Sequence, residues 1–272
     1  MPLNDFPDSA EKRELRRRDR RLLLVRSTQL AHKLDYCGMP SKEFLDVKLW
    51  KDCLRSVVAV EVLADVAEEM RVERDREAFD FPVQIVEMDV RDYLLEESLA
   101  FDLYNLDFYG GFLNPSKNHG SRTIKALRAL FAAQANSSRS FALITTFNLR
   151  ESGGKDYLAF LDAAKAELSG LPNGPTNLAA HEQNQATRVK LCFPFFCWQT
   201  ASVLGFDQQC ENIFLYTSSA TMLHFHQWFD FQGHTLPPVR STNALTRIAN
   251  LPLFALTGLV PSKKFEPPAI GV

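Results

Sequence analysis

Between residues 55 and 147 the chain alternates short β-branched apolar runs with charged, helix-favouring stretches, and this leaves few folds open to it. Arg55-Ser56-Val57-Val58-Ala59-Val60-Glu61 is apolar on both faces and ends in an acid, as a buried parallel strand does. Residues 63–79 follow with Ala64, Ala67 and Met70 at helical spacing. A second strand, 82–89, ends at Asp89, and a short helix is expected over 90–97. The third strand spans 101–107, with Gly110 and Gly111 behind it as turn formers. An amphipathic helix over 121–135, built on Ile124, Leu127, Leu130 and Phe131, leads to a fourth strand at 140–147. Strands alternating with helices at this spacing imply βαβ units: a mostly parallel central sheet with helices on both faces. Residues 210–216 and 222–231, joined by the polar stretch 217–221, predict an antiparallel strand pair at its end.

The flanks are less regular. Residues 10–35 predict a helix whose first half carries Lys12, Arg13, Arg16, Arg17, Arg18, Arg20 and Arg21. That run is either a phosphate-binding patch or a solvated helix face. Gly38 and Pro40 punctuate the chain before a second helix expected from Ser41 to about Trp50. Another helix is expected over 155–168, then an exposed loop insertion over 169–187 and an apolar, aromatic stretch over 188–204. The organisation expected is a basic helical segment at 1–33, an α/β domain at 34–232 and a tail at 233–272 that packs back on the core.

A length of 272 residues suits one enlarged α/β domain, and a net charge of −2 sets up no global field toward nucleic acid or membrane. No apolar run approaches the roughly 20 residues needed to cross a bilayer, so no membrane partner is expected. The polar start Met1-Pro2-Leu3-Asn4-Asp5 is unlike a secretory signal, and the 5 cysteines are odd in number, which together predict reduced thiols and a cytoplasmic location. Cys192 and Cys197 lie inside an apolar run, where buried thiols are expected and a metal is not.

The chemistry sits at the strand ends. In an open parallel sheet, ligands bind outside the carboxyl ends of the strands. Glu61, Asp89 and Asp107 all fall at that edge. Any one of them reads equally as an N-cap for the following helix. In succession, at this spacing, they suit ribose hydroxyls, an adenine amino group and a reacting group in turn. His224 and His226 alternate on a strand, so both could meet a substrate or a metal on one face, or simply be satisfied strand histidines.

In these residues the sequence resembles the class I S-adenosylmethionine-dependent methyltransferases, which have a Rossmann-like fold. Val57-Val58-Ala59-Val60-Glu61 is similar to their ribose-binding motif and Ile85-Val86-Glu87-Met88-Asp89-Val90 to their adenine-contact motif. Asn105-Leu106-Asp107-Phe108-Tyr109-Gly110 resembles the catalytic loop of amino-methylating members, nearest the Asp-Leu-Asp-Pro-Tyr/Phe-Gly form. Asn105 stands for the first Asp of that form and Phe108 for its Pro. The resemblance implies S-adenosylmethionine as cofactor, held by Gly38, Glu61, Asp89, Val90 and Asn105. It implies catalytic roles for Asn105, Asp107, Phe108 and Tyr109, with Asp107 accepting hydrogens of an amine and Phe108 or Tyr109 stacking on a base. The family's Gly-rich turn after its first strand has one counterpart here, Tyr36-Cys37-Gly38-Met39-Pro40, with a single glycine and no clear strand pattern ahead of it.

The expected partner is nucleic acid, held through Arg13, Arg16, Arg17 and Arg20, and the substrate expected is an exocyclic amine of a base. A second reading keeps the fold without the catalysis: a Rossmann-like module serving as a subunit of a larger complex, its aromatic C-terminal third covering a protein partner or a second copy.

Overall fold

The apolar runs become strands because each is covered on both sides. In a computed structural model of the chain, the described residues are 8–108, 119–149, 162, 166, 185–217, 221–233 and 254–256. They form an eight-stranded sheet in the order β3-β2-β1-β4-β5-β7-β6-β8. The strands are β1 (Leu34–Gly38), β2 (Leu54–Glu61), β3 (Val83–Glu87), β4 (Leu103–Phe108), β5 (Phe141–Asn148), β6 (Phe206–Thr217), β7 (Thr221–Phe231) and β8 (Phe254–Leu256). β1 to β5 are parallel to one another, β7 runs antiparallel to both β5 and β6, and β8 pairs parallel with β6. The protein is therefore a Rossmann-like α/β fold, mostly parallel and closed by an antiparallel pair. Its first five strands keep the doubly wound order, and the antiparallel β7 is inserted where that order would continue.

The helices are α1 (Ala10–Leu30), α2 (Leu45–Trp50), α3 (Ala64–Glu77), α4 (Val90–Glu96), α5 (His119–Asn136) and α6 (Gln185–Val203). Leu23 of α1, Val47 and Trp50 of α2, and Val66 and Met70 of α3 pack on one sheet face with Tyr36, Val57, Leu103 and Ile144. α4, α5 and α6 cover the other face, against Val58, Tyr104, Leu106, Phe108, Leu143 and Phe225. Strand alternation explains the split: on β4, Tyr104, Leu106 and Phe108 point to the second face, leaving Asn105 and Asp107 to the first. Aromatic rings fill the middle of the second face, where Phe131 meets Phe229 edge-on at 4.8 Å and Phe229 stacks on Phe141 at 4.9 Å.

At the amino ends of the strands Asp102, only 2% exposed, accepts hydrogen bonds from the Asp35 backbone N–H (2.9 Å) and the Arg139 guanidinium (2.7 Å). Arg55 and Ser56 also bond Asp35, so this knot ties β1, β2, β4 and β5 together at the edge opposite the predicted site.

Two expectations change. A strand does precede Gly38: β1 lies between β2 and β4, although Asp35 interrupts its apolar pattern. The loop expected over 169–187 is helical from Gln185, where α6 begins, and Pro194 lies inside that helix. α1 packs on the same sheet as the rest, with Leu15, Asp19, Leu23 and Arg26 buried. The helix expected over 155–168 falls outside the described residues apart from residues 162 and 166. No helix among the described residues is long and apolar enough to cross a membrane.

Candidate functional site

The chain crosses from one side of β1 to the other between β3 and β4, so the β1–β4 boundary is the switch point of the sheet. A crevice forms there outside the carboxyl ends of the strands. Gly38 ends β1 and lies directly across from Asn105 on β4. Glu61 ends β2 and is paired with Glu87 at the end of β3, and Asp89 follows two residues later. The sheet thus lines up Gly38, Glu61, Asp89 and Asn105 along one edge.

Gly38 is required by close approach. A Cβ there would overlap the Asn105 carbonyl oxygen and come within 2.7 Å of the Tyr36 hydroxyl oxygen. The Met39 N–H donates to the same Asn105 carbonyl at 2.9 Å, which carries the β1–β4 pairing one residue past the strand.

Glu61 Oε1 accepts the Leu63 N–H at 2.8 Å and so opens the turn into α3. Its carboxylate is half-exposed, and its second oxygen has no hydrogen-bond partner among the described residues. Asp89 caps α4 by accepting the Arg91 N–H at 2.8 Å, and Arg91 also reaches it through its guanidinium at 3.2 Å. The cap and site readings of these two acids therefore coexist. Val90 is buried in the apolar cluster with Tyr93, Leu94 and Phe108, beneath the edge.

Asp107 lies across from Thr146 of β5. Its side chain reaches solvent although protein surrounds it on its other sides. Burial pushes its carboxyl above the ordinary carboxylate range, and Asp46 adds to this, while Lys12 and His224 act in the opposite direction.

Phe108 is a correction. Because β4 continues through it, its ring turns to the face opposite Asp107 and enters the core. There it stacks on Phe147 (5.6 Å, 12°) beneath the Arg91 guanidinium (5.4 Å). The expected base-stacking role does not fit a ring packed in this way. Tyr109, Gly110 and Gly111 lie outside the described residues.

Several charged groups around the crevice carry no sequence signal of their role. Asp46, in the first turn of α2, accepts the Asn105 side-chain N–H at 2.9 Å and is ion-paired with Arg16 of α1. Asp19 of α1 is 3% exposed and bridges two strand histidines, with His226 Nδ1 at 2.9 Å and His224 Nε2 at 3.1 Å. The other ring nitrogen of His224 is 3.1 Å from Thr146 Oγ1. Both histidines thus point to one face, as their alternation suggests, but they are buried and bound to a carboxylate. Tyr216 of β6 is buried nearby, its hydroxyl pushed upward by burial and by Asp107 and Asp46.

Three arginines of the basic helix are paired with acids outside it. Arg13 pairs with Asp8, Arg16 with Asp8 and Asp46, and Arg20 with Asp52. Arg17 is exposed.

No protein-family model matches the chain, and no curated protein is significantly similar to it. Solved structures with a likeness to it include yhhF of Escherichia coli, provisionally described as a methyltransferase, at 9% identity and TM-score 0.41, covering 84% of this chain and 91% of that one. PH1948 of Pyrococcus horikoshii, provisionally described as an RNA methyltransferase, is 8% identical with TM-score 0.42, covering 78% and 82%. A SAM-dependent methyltransferase of Aquifex aeolicus is 8% identical with TM-score 0.38, covering 72% and 81%. A likeness this distant assigns no activity to the chain, and its fold stands on strand order and register.

The arrangement offers hydrogen-bond acceptors at the ends of adjacent strands and an accessible, upward-shifted carboxylate beside them. Such an edge suits a ligand rich in hydroxyl and amino donors. A carboxylate with a raised pKa suits proton acceptance near neutrality.

Proposed function

We propose that the chain is an S-adenosylmethionine-dependent methyltransferase acting on an amine, with an exocyclic amino group of a nucleic acid base as the substrate class. The observation that carries this is the row Gly38, Glu61, Asp89, Asn105 at the switch point, with Asp107 open beside it. The donor set fits the cofactor: Glu61 keeps a carboxylate oxygen for ribose hydroxyls beyond its own turn bond, and the Asp89 carboxylate lies at the β3 end for the adenine amine. Bound there, the cofactor supplies an electrophilic methyl group. Asp107 accepts a hydrogen bond from the amine, which holds the nitrogen lone pair in line. It would then take up the proton that the nitrogen sheds on methylation. Asn105 supplies a second acceptor. Phe108 braces β4 from behind, through the core.

Calorimetry with S-adenosylmethionine and transfer of tritiated methyl to total RNA and DNA test the reading. Micromolar binding and label in nucleic acid are expected. A flat trace at high cofactor concentration, with folded protein, would sink it and favour the non-catalytic module. Asp107→Ala should lower turnover by about 10²–10⁴-fold with cofactor affinity nearly unchanged. Wild-type turnover should fall as acid protonates Asp107, at a pH above the ordinary carboxylate range because its pKa is raised. Unaltered turnover in Asp107→Ala would remove that residue from the mechanism.

Phosphate contacts are proposed for the outward-facing Arg13, Arg17 and Arg20. Exposed ion pairs such as Arg13–Asp8 and Arg20–Asp52 contribute only about 0–1 kcal/mol, so a phosphate can displace them. Replacing all three by Gln should reduce the slope of log affinity against log salt by about 3, near one unit per residue. An unchanged slope would place nucleic acid elsewhere.

A further inference from the structure

We propose that the N-terminal helix completes the site: Arg16 of α1 holds Asp46, and Asp46 fixes the side-chain amide of Asn105 so that its Oδ1 is presented to the crevice. The inference rests on the methyltransferase reading and adds two positioning residues to it.

The hydrogen-bond chemistry admits one orientation of the amide. Burial raises the Asp46 pKa, but the Arg16 guanidinium favours its carboxylate form, and a carboxylate only accepts, so the Asn105 group 2.9 Å from it is the NH2. The Tyr36 hydroxyl oxygen, 3.5 Å from the same nitrogen, lies on that side too. An amide carries its oxygen opposite its nitrogen, so Oδ1 points away from α2. The Asn105 backbone cannot drift, because its carbonyl takes the Met39 N–H at 2.9 Å.

Arg16 is equally constrained. Its guanidinium bonds Asp46 and Asp8, the latter at 2.7 Å, and its side chain is only 14% exposed. Its backbone carbonyl accepts the Trp50 indole N–H at 2.9 Å, which locks the register of α1 against the far end of α2. The chain Trp50–Arg16–Asp46–Asn105 thus runs from a buried ring to the edge of the crevice. It serves a substrate that offers an N–H to Oδ1, an uncharged conjugated amine. This accounts for an arginine turned inward toward α2, where Arg26 on the same helix instead turns toward Gln209 and Trp228 of the sheet.

Asp46→Asn, Asp46→Glu and Arg16→Gln are compared with wild type, with melting curves to confirm folding. Hydrogen exchange of the Asn105 side-chain amide, followed by NMR, should be slow in wild type and about tenfold or more faster in Asp46→Asn. That variant loses the charge that selects the amide rotamer. In methyl transfer to total RNA, kcat should fall by about 10- to 100-fold, with KM and the calorimetric affinity for S-adenosylmethionine within a few-fold of wild type. Asp46→Glu should recover part of kcat, and Arg16→Gln should lie between Asp46→Asn and wild type. A kcat that survives Asp46→Asn in a protein that binds cofactor and methylates RNA overturns the inference and leaves the methyltransferase reading standing. Absence of cofactor binding in wild type removes both. Faster exchange with kcat unchanged makes the contact structural and also overturns it.

Discussion

Asp19→Ala is expected to lower the free energy of unfolding by about 3–5 kcal/mol at pH 6, the loss typical when one partner of a buried ion pair is removed. Asp19 touches His226 through Oδ1 and His224 through both of its oxygens, and all three residues are buried. Burial alone would raise the Asp19 pKa, but the two histidines outweigh it and hold the carboxyl well below its ordinary range. Burial alone would lower the His224 pKa, but Asp19, with Asp107 and Asp46 beyond it, outweighs that and raises it. The Tyr216 hydroxyl and the Asp46 carboxyl also feel the Asp19 charge.

The pH dependence follows from these directions. A depressed aspartate stabilises the fold above its unfolded pKa of about 3.9, and that contribution fades as pH falls toward the folded value. A raised histidine stabilises it fully below about 6.5 and loses this as pH climbs through the folded value. The wild-type cluster is therefore worth most between about pH 4 and 6.5 and less in alkali. Asp19→Ala reverses the alkaline limb: without the carboxylate, burial favours neutral His224, so the variant gains stability as pH rises. Urea unfolding at pH 6 and pH 9 should show the gap between the two proteins narrowing. A gap that does not change with pH would show that His224 is uncharged in the native state.

Gly38→Ala carries the second large effect. The new Cβ meets the Asn105 carbonyl oxygen, a backbone atom already in a β-ladder, so no side-chain rotation relieves the clash. Separating β1 from β4 should cost about 1–3 kcal/mol. The strain falls where the proposed cofactor crosses the sheet, so affinity for S-adenosylmethionine should drop by about tenfold or more, on the order of 1.4 kcal/mol. Wild-type stability together with wild-type affinity would mean that the crevice tolerates a side chain and that the site lies elsewhere.

How far the sequence could be read depended on where each residue finds its partners. β2, β3, β4 and β5 were legible because each is a local pattern, a β-branched apolar run closed by a turn, and a parallel strand covered on both faces needs little else. β1 was obscured because Asp35 breaks its pattern, and that residue is satisfied by Arg55, Ser56 and Arg139, which are distant in sequence. Asp19, flanked by Arg18 and Arg20, reads as part of a solvated charge run, yet its partners lie about two hundred residues away on β7. Phe108 looked like a stacking platform because motif resemblance does not say where the strand ends. One further residue of β4 turned it into the core.

The sequence by itself determined that this chain builds a mostly parallel sheet closed by an antiparallel pair, with acids at the carboxyl ends of its strands. Periodicity and strand-ending residues are local properties, and they survive whatever packs around them. Only the tertiary structure decided how the polar groups around that edge could act: Asp107 reaches solvent, Asp19 is buried, and the NH2 of Asn105 is turned to Asp46. Exposure, protonation and orientation are set by neighbours, and here those neighbours come from α1, α2 and β7, which only folding brings to the same edge.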